Sequence, residues 1–181
     1  MSHHYLIALG SNMRVSGLGP PRRVIAAAIE ELADRGLRIV RVSSIITTRP
    51  IGPSQRSYAN AAALIKSEHL PSQLLALLQS VEQSFGRRRS GQRWRARPLD
   101  LDIVMWSGGI WESGDLTIPH REFRRRKFVL GPASEIAPRW RDPVTGLRIE
   151  HLHTRLTGTR PLPRCRIRGR ALSSVGRATD F

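Results

Sequence analysis

The chain has 181 residues, 40% of them hydrophobic and 24% charged, which suits one soluble domain with room for a core. No apolar run reaches the roughly 20 residues that a membrane-spanning helix needs, and the N-terminus lacks the basic-then-apolar pattern of a secretory signal. A lone cysteine, Cys165, excludes an internal disulfide framework and a cysteine-based zinc site, so a reducing cytoplasm is the expected location. The formal charge is +16, and only Lys66 and Lys127 among the thirty bases are lysines. Arginine favours planar, bidentate phosphate contacts, although an Arg-favouring codon bias accounts for the excess equally well.

In chain order, Tyr5–Leu9 is a short apolar run closed by Gly10-Ser11-Asn12, a buried strand and its turn. Pro20-Pro21 opens a helix whose Val24, Ile25, Ala28, Ile29 and Leu32 share a face, and Gly36 caps it. Leu37–Thr47 is rich in Ile, Val, Ser and Thr and is expected as one strand. Breakers at 49–54 make a loop, and Tyr58–Ile65 resumes as a strand. Leu70-Pro71-Ser72 starts a second helix with Leu74, Leu75, Leu78, Val81 and Phe85 at helical spacing, ended by Gly86. Residues 87–97 have no apolar periodicity and read as a surface loop carrying Arg87, Arg88, Arg89, Arg93, Arg95 and Arg97. Leu99–Trp106 alternates with period two and then becomes apolar, as a strand entering a core does. The order β-α-β-β-α-β predicts an α+β, ferredoxin-like core. Shorter pieces extend it: an extended Trp111–Ile118, a basic turn, and a helix over Val129–Ala137 stopped by Pro138. One domain is expected over residues 1–163, with 164–181 a basic, disordered tail.

Asp100 and Asp102 are the sharpest feature. Two apart in a strand, they share a face about 6.6 Å apart, while Leu99, Leu101 and Ile103 turn to the core. Taken alone, the pair reads as a solvated strand face. Following six arginines, it reads as the metal half of a phosphoryl-transfer site: adjacent carboxylates repel unless a cation joins them, and Mg²⁺ on a nucleotide takes one or two. Arg88, Arg89, Arg124 and Arg125 read as solvated charge.

Four ordered blocks carry a resemblance. They are Gly10-Ser11-Asn12; Thr48-x-Pro50-Ile51-Gly52-Pro53 with Tyr58-x-Asn60; Gly86-Arg87 through Arg93-Trp94-x-x-Arg97-Pro98-Leu99-Asp100-Leu101-Asp102-Ile103; and Leu116-Thr-Ile-Pro-His120 with Phe128-Val-Leu and Glu135-Ile-Ala-Pro138. Over about residues 5–150 the chain resembles the 6-hydroxymethyl-7,8-dihydropterin pyrophosphokinases of folate biosynthesis. The resemblance implies transfer of diphosphate from ATP to the pterin hydroxymethyl group, with release of AMP. It implies two Mg²⁺ ions on Asp100 and Asp102, and places Arg87 and Arg97 near the transferred phosphates. Gln79, Glu82, Arg93, Trp94, Ile103, His120 and Arg126 fall on its ATP side. Thr48, Ile51, Gly52, Tyr58, Asn60 and Phe128 fall on its pterin side, with Trp94 covering the closed site. The chain departs from the family pattern at Arg95-Ala96, where Gly-Pro is frequent, and at Arg49 and Arg121; none of these is a metal position. The expected partners are therefore ATP and hydroxymethyldihydropterin, with no nucleic acid and no membrane, and the expected state is a monomer. An RNA-binding module on the same scaffold is the rival reading. It has only Tyr5 and Tyr58 to stack bases in residues 5–9 and 58–65, and it leaves the aspartates beside an anionic ligand with no task.

Overall fold

Alternation along the first strand decides the layering. In the computed structural model, which describes residues 2–48, 57–86, 98–114 and 116–158, that strand runs His3–Ser11 (β1). It is followed by α1 (Pro21–Asp34), β2 (Arg38–Val42), β3 (Ile46–Thr48), β4 (Tyr58–Ser67), α2 (Pro71–Ser84) and β5 (Asp100–Trp106). Tyr5, Ile7 and Leu9 pack against α1 and α2 together with Leu99, Leu101 and Ile103. Leu6 faces the other way, into a second cluster with Ala62, Val104, Met105, Phe123, Val129, Leu130 and Ile149. The sheet is therefore buried on both faces, with helices on each side.

The strand order is β2-β4-β1-β5, every pair antiparallel, with β3 adding to β4. With β2 and β3 as its second strand, this is the ferredoxin-like βαββαβ order. Both helices of the repeat have proline in their first turn, where a missing N–H costs nothing, and glycines at positive φ follow them (Gly36 at +84°, Gly86 at +87°). The C-terminal extension supplies β6 (Trp111–Ser113), β7 (Leu116–Ile118), a 3-10 turn over Phe123–Arg125, α3 (Lys127–Ile136) and α4 (Ile149–Thr157).

Three details differ from the sequence reading. The strand expected over Leu37–Thr47 divides into β2 and β3 because Ser43 changes the ladder: its backbone N–H donates to the Ala62 carbonyl, while its hydroxyl, not a carbonyl, accepts the Ala62 N–H, both at 2.9 Å. The extended stretch Trp111–Ile118 is a hairpin, with Trp111 opposite Ile118 and Ser113 opposite Leu116. Helix α4 is additional. The tail expected at 164–181 lies outside the described residues.

One irregularity positions the site. Leu6 pairs with Met105 but Ile7 pairs with Ile103, so Val104 is an extra residue on β5. The bulge lets Val104 and Met105 both enter the second core, and the Val104 carbonyl accepts the His120 N–H at 3.0 Å.

Candidate active site

On β5, Asp100 lies opposite Gly10 and Asp102 opposite Ala8, so both carboxylates project from the sheet face that α3 and α4 cover lower down. Gly10 also pairs with Asn60 on β4. A Cβ at position 10 would sit 3.6 Å from Asn60 Oδ1 and 3.9 Å from Asp100 Cβ, so any longer side chain would grow into the space between them. Glycine keeps that floor open.

Two nitrogen-bearing side chains, His120 and Arg126, face Asp102. His120 Nδ1 accepts the Glu122 N–H at 3.1 Å, which leaves Nε2 as the protonated nitrogen of a neutral ring, and Nε2 lies 3.9 Å from Asp102 Oδ2. Arg126 Nη1 lies 3.8 Å from the same oxygen. These separations are too long for direct hydrogen bonds, and the Asp102 side chain is 38% exposed, so the three groups face one another across a solvent-accessible edge. The Arg126 guanidinium also stands 5.8 Å from the Phe128 ring centre, within cation–π range.

Beside this cluster, Asn60 is buried and donates Nδ2–H to Thr48 Oγ1 at 2.8 Å, which fixes the orientation of its amide. Tyr58 lies opposite Thr48 in the β3–β4 ladder. Helix α3, which carries Phe128, is tied to the start of β3 through Glu135, whose carboxylate accepts the Ser44 N–H at 3.0 Å and the Ser44 hydroxyl at 2.9 Å.

Beneath β5, Glu82 is buried and accepts the Leu101 N–H at 2.7 Å. Gln79 lies one turn earlier on α2 and is half-buried. Ile103 is in the core on the α1/α2 side, opposite the carboxylates, so its side chain is packing. Thus Asp100, Asp102, His120 and Arg126 share one corner, with Thr48, Tyr58 and Asn60 grouped on β3 and β4. Ile51, Gly52, Arg87, Arg93, Trp94 and Arg97 lie outside the described residues.

Residues 6–138 match the family model described as 7,8-dihydro-6-hydroxymethylpterin-pyrophosphokinase. The chain belongs to this pterin pyrophosphokinase family. It is 38% identical over 151 residues to the 2-amino-4-hydroxy-6-hydroxymethyldihydropteridine pyrophosphokinase of Synechocystis, covering 83% of this chain and 74% of the relative. The enzyme of that name from Haemophilus influenzae is 42% identical over 134 residues, covering 72% of this chain and 79% of the relative. Among solved structures, the wild-type Plasmodium falciparum HPPK-DHPS with pteroate superposes with a TM-score of 0.65 at 12% identity, over 86% of this chain and 42% of that one. At that identity the likeness concerns the fold, and this chain spans less than half of the Plasmodium chain.

For a pterin pyrophosphokinase, the donor set matters more than its size. Among the described residues no group of three or more His, Cys, Asp or Glu side chains is placed to hold a metal. A pair of carboxylates is nonetheless what Mg²⁺ takes from protein when substrate phosphates and water complete its shell, so Asp100 and Asp102 fit that ion. Sequence reasoning missed Arg124. It is not solvated charge: its guanidinium makes a bidentate pair with Asp142, which is fully buried. The two lie eighteen positions apart, and Arg124 stands inside an arginine run, so nothing local singled it out. Asn12 was quoted only within a motif, yet it is a buried polar residue directly after β1.

Proposed function

We propose that this chain catalyses attack of the hydroxymethyl oxygen of 6-hydroxymethyl-7,8-dihydropterin on the β-phosphorus of ATP. A new C–O–P linkage forms, the bond between the β-phosphorus and the α–β bridging oxygen breaks, and AMP leaves with that oxygen; the hydroxyl proton is released. Family membership supports this reaction, and the observation that carries its placement is the carboxylate pair of β5 facing His120 and Arg126.

Asp100 and Asp102 would hold two Mg²⁺ ions, which neutralise triphosphate charge when bound. In this reading, His120 and Arg126 bind ATP oxygens from the opposite side, and Arg87 and Arg97 meet the phosphates where charge shifts in transfer. Gln79, Glu82, Arg93 and Ile103 belong to the nucleotide side, Glu82 by holding β5 and Ile103 through its backbone. Tyr58 and Phe128 supply faces for the flat pterin ring, and the Asn60 amide, fixed by Thr48, reads its polar edge. Ile51, Gly52 and Trp94 complete the pterin enclosure. Alignment and charge neutralisation provide most of the acceleration, because a neutral alcohol attacks a strongly anionic electrophile. We further propose a cytoplasmic monomer with residues 1–163 as its domain, acting without nucleic acid or membrane. Among the described residues no helix is long and apolar enough to cross a membrane.

Nucleotide analysis after incubation with ATP and Mg²⁺, with and without the pterin, tests the reading. AMP that depends on the pterin is the expected product. ADP would instead mean attack on the γ-phosphorus and overturn the proposed geometry.

A further inference from the structure

His120 and Arg126 approach the same oxygen, Asp102 Oδ2, at 3.9 and 3.8 Å. The chain between them contains one 3-10 turn, Phe123–Arg125. A turn this short has little rigidity of its own, so its orientation must be imposed from outside. Arg124 supplies the connection. Its Nε and Nη2 donate to Asp142 Oδ2 and Oδ1 at 2.7 and 2.6 Å, and its guanidinium carbon lies 4.7 Å from the ring centre of buried Phe123.

The far end of this connection is itself fixed. Asp142 has no solvent exposure, and its carboxylate also accepts the Val144 N–H at 3.2 Å and the Thr145 hydroxyl. Its backbone N–H donates to the Leu147 carbonyl and its carbonyl accepts the Gly146 N–H, at 2.9 and 2.8 Å, closing the turn ahead of α4. Residues Leu152 and Ile149 of α4 are in the second core with Phe123. A guanidinium gripped by both nitrogens cannot rotate about one hydrogen bond, whereas an ammonium can.

We infer that Arg124 and Asp142 are positioning residues for nucleotide binding: their fork sets the orientation of Phe123–Arg125 and so presents His120 and Arg126 together toward Asp102. This inference rests on the assignment of those two residues to ATP. It also accounts for an ion pair with a fully buried carboxylate, since such pairs seldom add to stability over apolar packing.

Steady-state kinetics with AMP as the readout, varying each substrate in turn, tests it on the full chain. Arg124→Lys keeps the charge and loses the fork, and is expected to raise the KM for ATP on the order of ten-fold, as small misplacements of binding groups do. The KM for the pterin should stay within about two-fold. The double variant Arg124→Met with Asp142→Leu replaces the pair by apolar side chains without leaving a buried charge, and must show the same ATP-specific rise. A lower melting temperature with both KM values unmoved, in whichever variant folds, would assign the pair to stability alone and overturn the inference. Wild-type protein that releases no AMP with pterin present would overturn the functional assignment first, and the positioning role with it.

Discussion

Glu82 on α2 takes the backbone N–H of Leu101, the residue between Asp100 and Asp102, in a buried hydrogen bond of 2.7 Å. A carboxylate from a helix thus holds the strand at the point where its two acidic side chains leave it. Charge-assisted bonds of this kind are short and strong, and the amide has no water to turn to if the partner is removed. Glu82→Ala is expected to destabilise the fold by about 1–3 kcal/mol in urea denaturation, and Glu82→Gln, which keeps an acceptor, by less. Equal midpoints for Glu82→Ala and wild type would show that the bond adds nothing to stability.

Asp100→Ala and Asp102→Ala should abolish AMP formation while leaving the thermal transition close to that of wild type. Each removes one of two like charges on a partly exposed face, so repulsion is relieved as coordination is lost. Turnover near the wild-type rate in either variant would remove the metal assignment.

The link between Glu135 and Ser44 joins α3, which carries Phe128, to the start of β3, which carries Thr48. Separating these elements should loosen the pterin side alone. Glu135→Ala is expected to raise the KM for the pterin several-fold and leave that for ATP unchanged, the reverse of the pattern for Arg124. Initial-rate measurements with each substrate varied distinguish the two; parallel changes in both constants would argue against separate supports.

Asp142 gives the acid limb of stability a specific source. Burial disfavours its charged form, but hydrogen bonds from Arg124, Thr145 and the Val144 N–H, with the Arg124 charge, outweigh burial and hold the carboxyl below its ordinary value of 3.8. The unfolded chain therefore binds this proton more tightly than the folded one. Its contribution is complete above pH 3.8 and disappears as the pH falls through the lowered folded value. Asp142→Asn should have a lower melting temperature at neutral pH and a flatter decline below about pH 4. Melting curves followed by circular dichroism across that range check the slope.

Local patterns made much of this molecule legible. Pro21 and Pro71 mark both helix starts, Gly36 and Gly86 both ends, and the alternation Leu99-Asp-Leu-Asp-Ile correctly separates the core face from the acidic face. His120 and Arg126 came from resemblance, and the fold does bring them to Asp102. What remained hidden depends on partners distant in sequence. The division of β2 from β3 is made by Ser43 against Ala62, nineteen positions later. Helix α4 sets Ile149, Leu152 and Leu156 at i, i+3 and i+7 against the second core, a short period that the reading of the sequence passed over. Ile103 stands on the core face, as the alternation requires, although the motif also places it in an ATP-side block.

The bulge at Val104 has a bearing on solubility as well. Within the described sheet, β5 has β1 as its one ladder partner, and an apolar edge such as Ile103-Val-Met-Trp106 invites a strand from another molecule. A straight incoming strand cannot keep register across an extra residue, the Val104 carbonyl is already taken by His120, and Asp100 and Asp102 would oppose acidic neighbours. The features that shape this corner therefore also protect the edge against aggregation, and replacing both aspartates by apolar residues is expected to expose the protein to self-association.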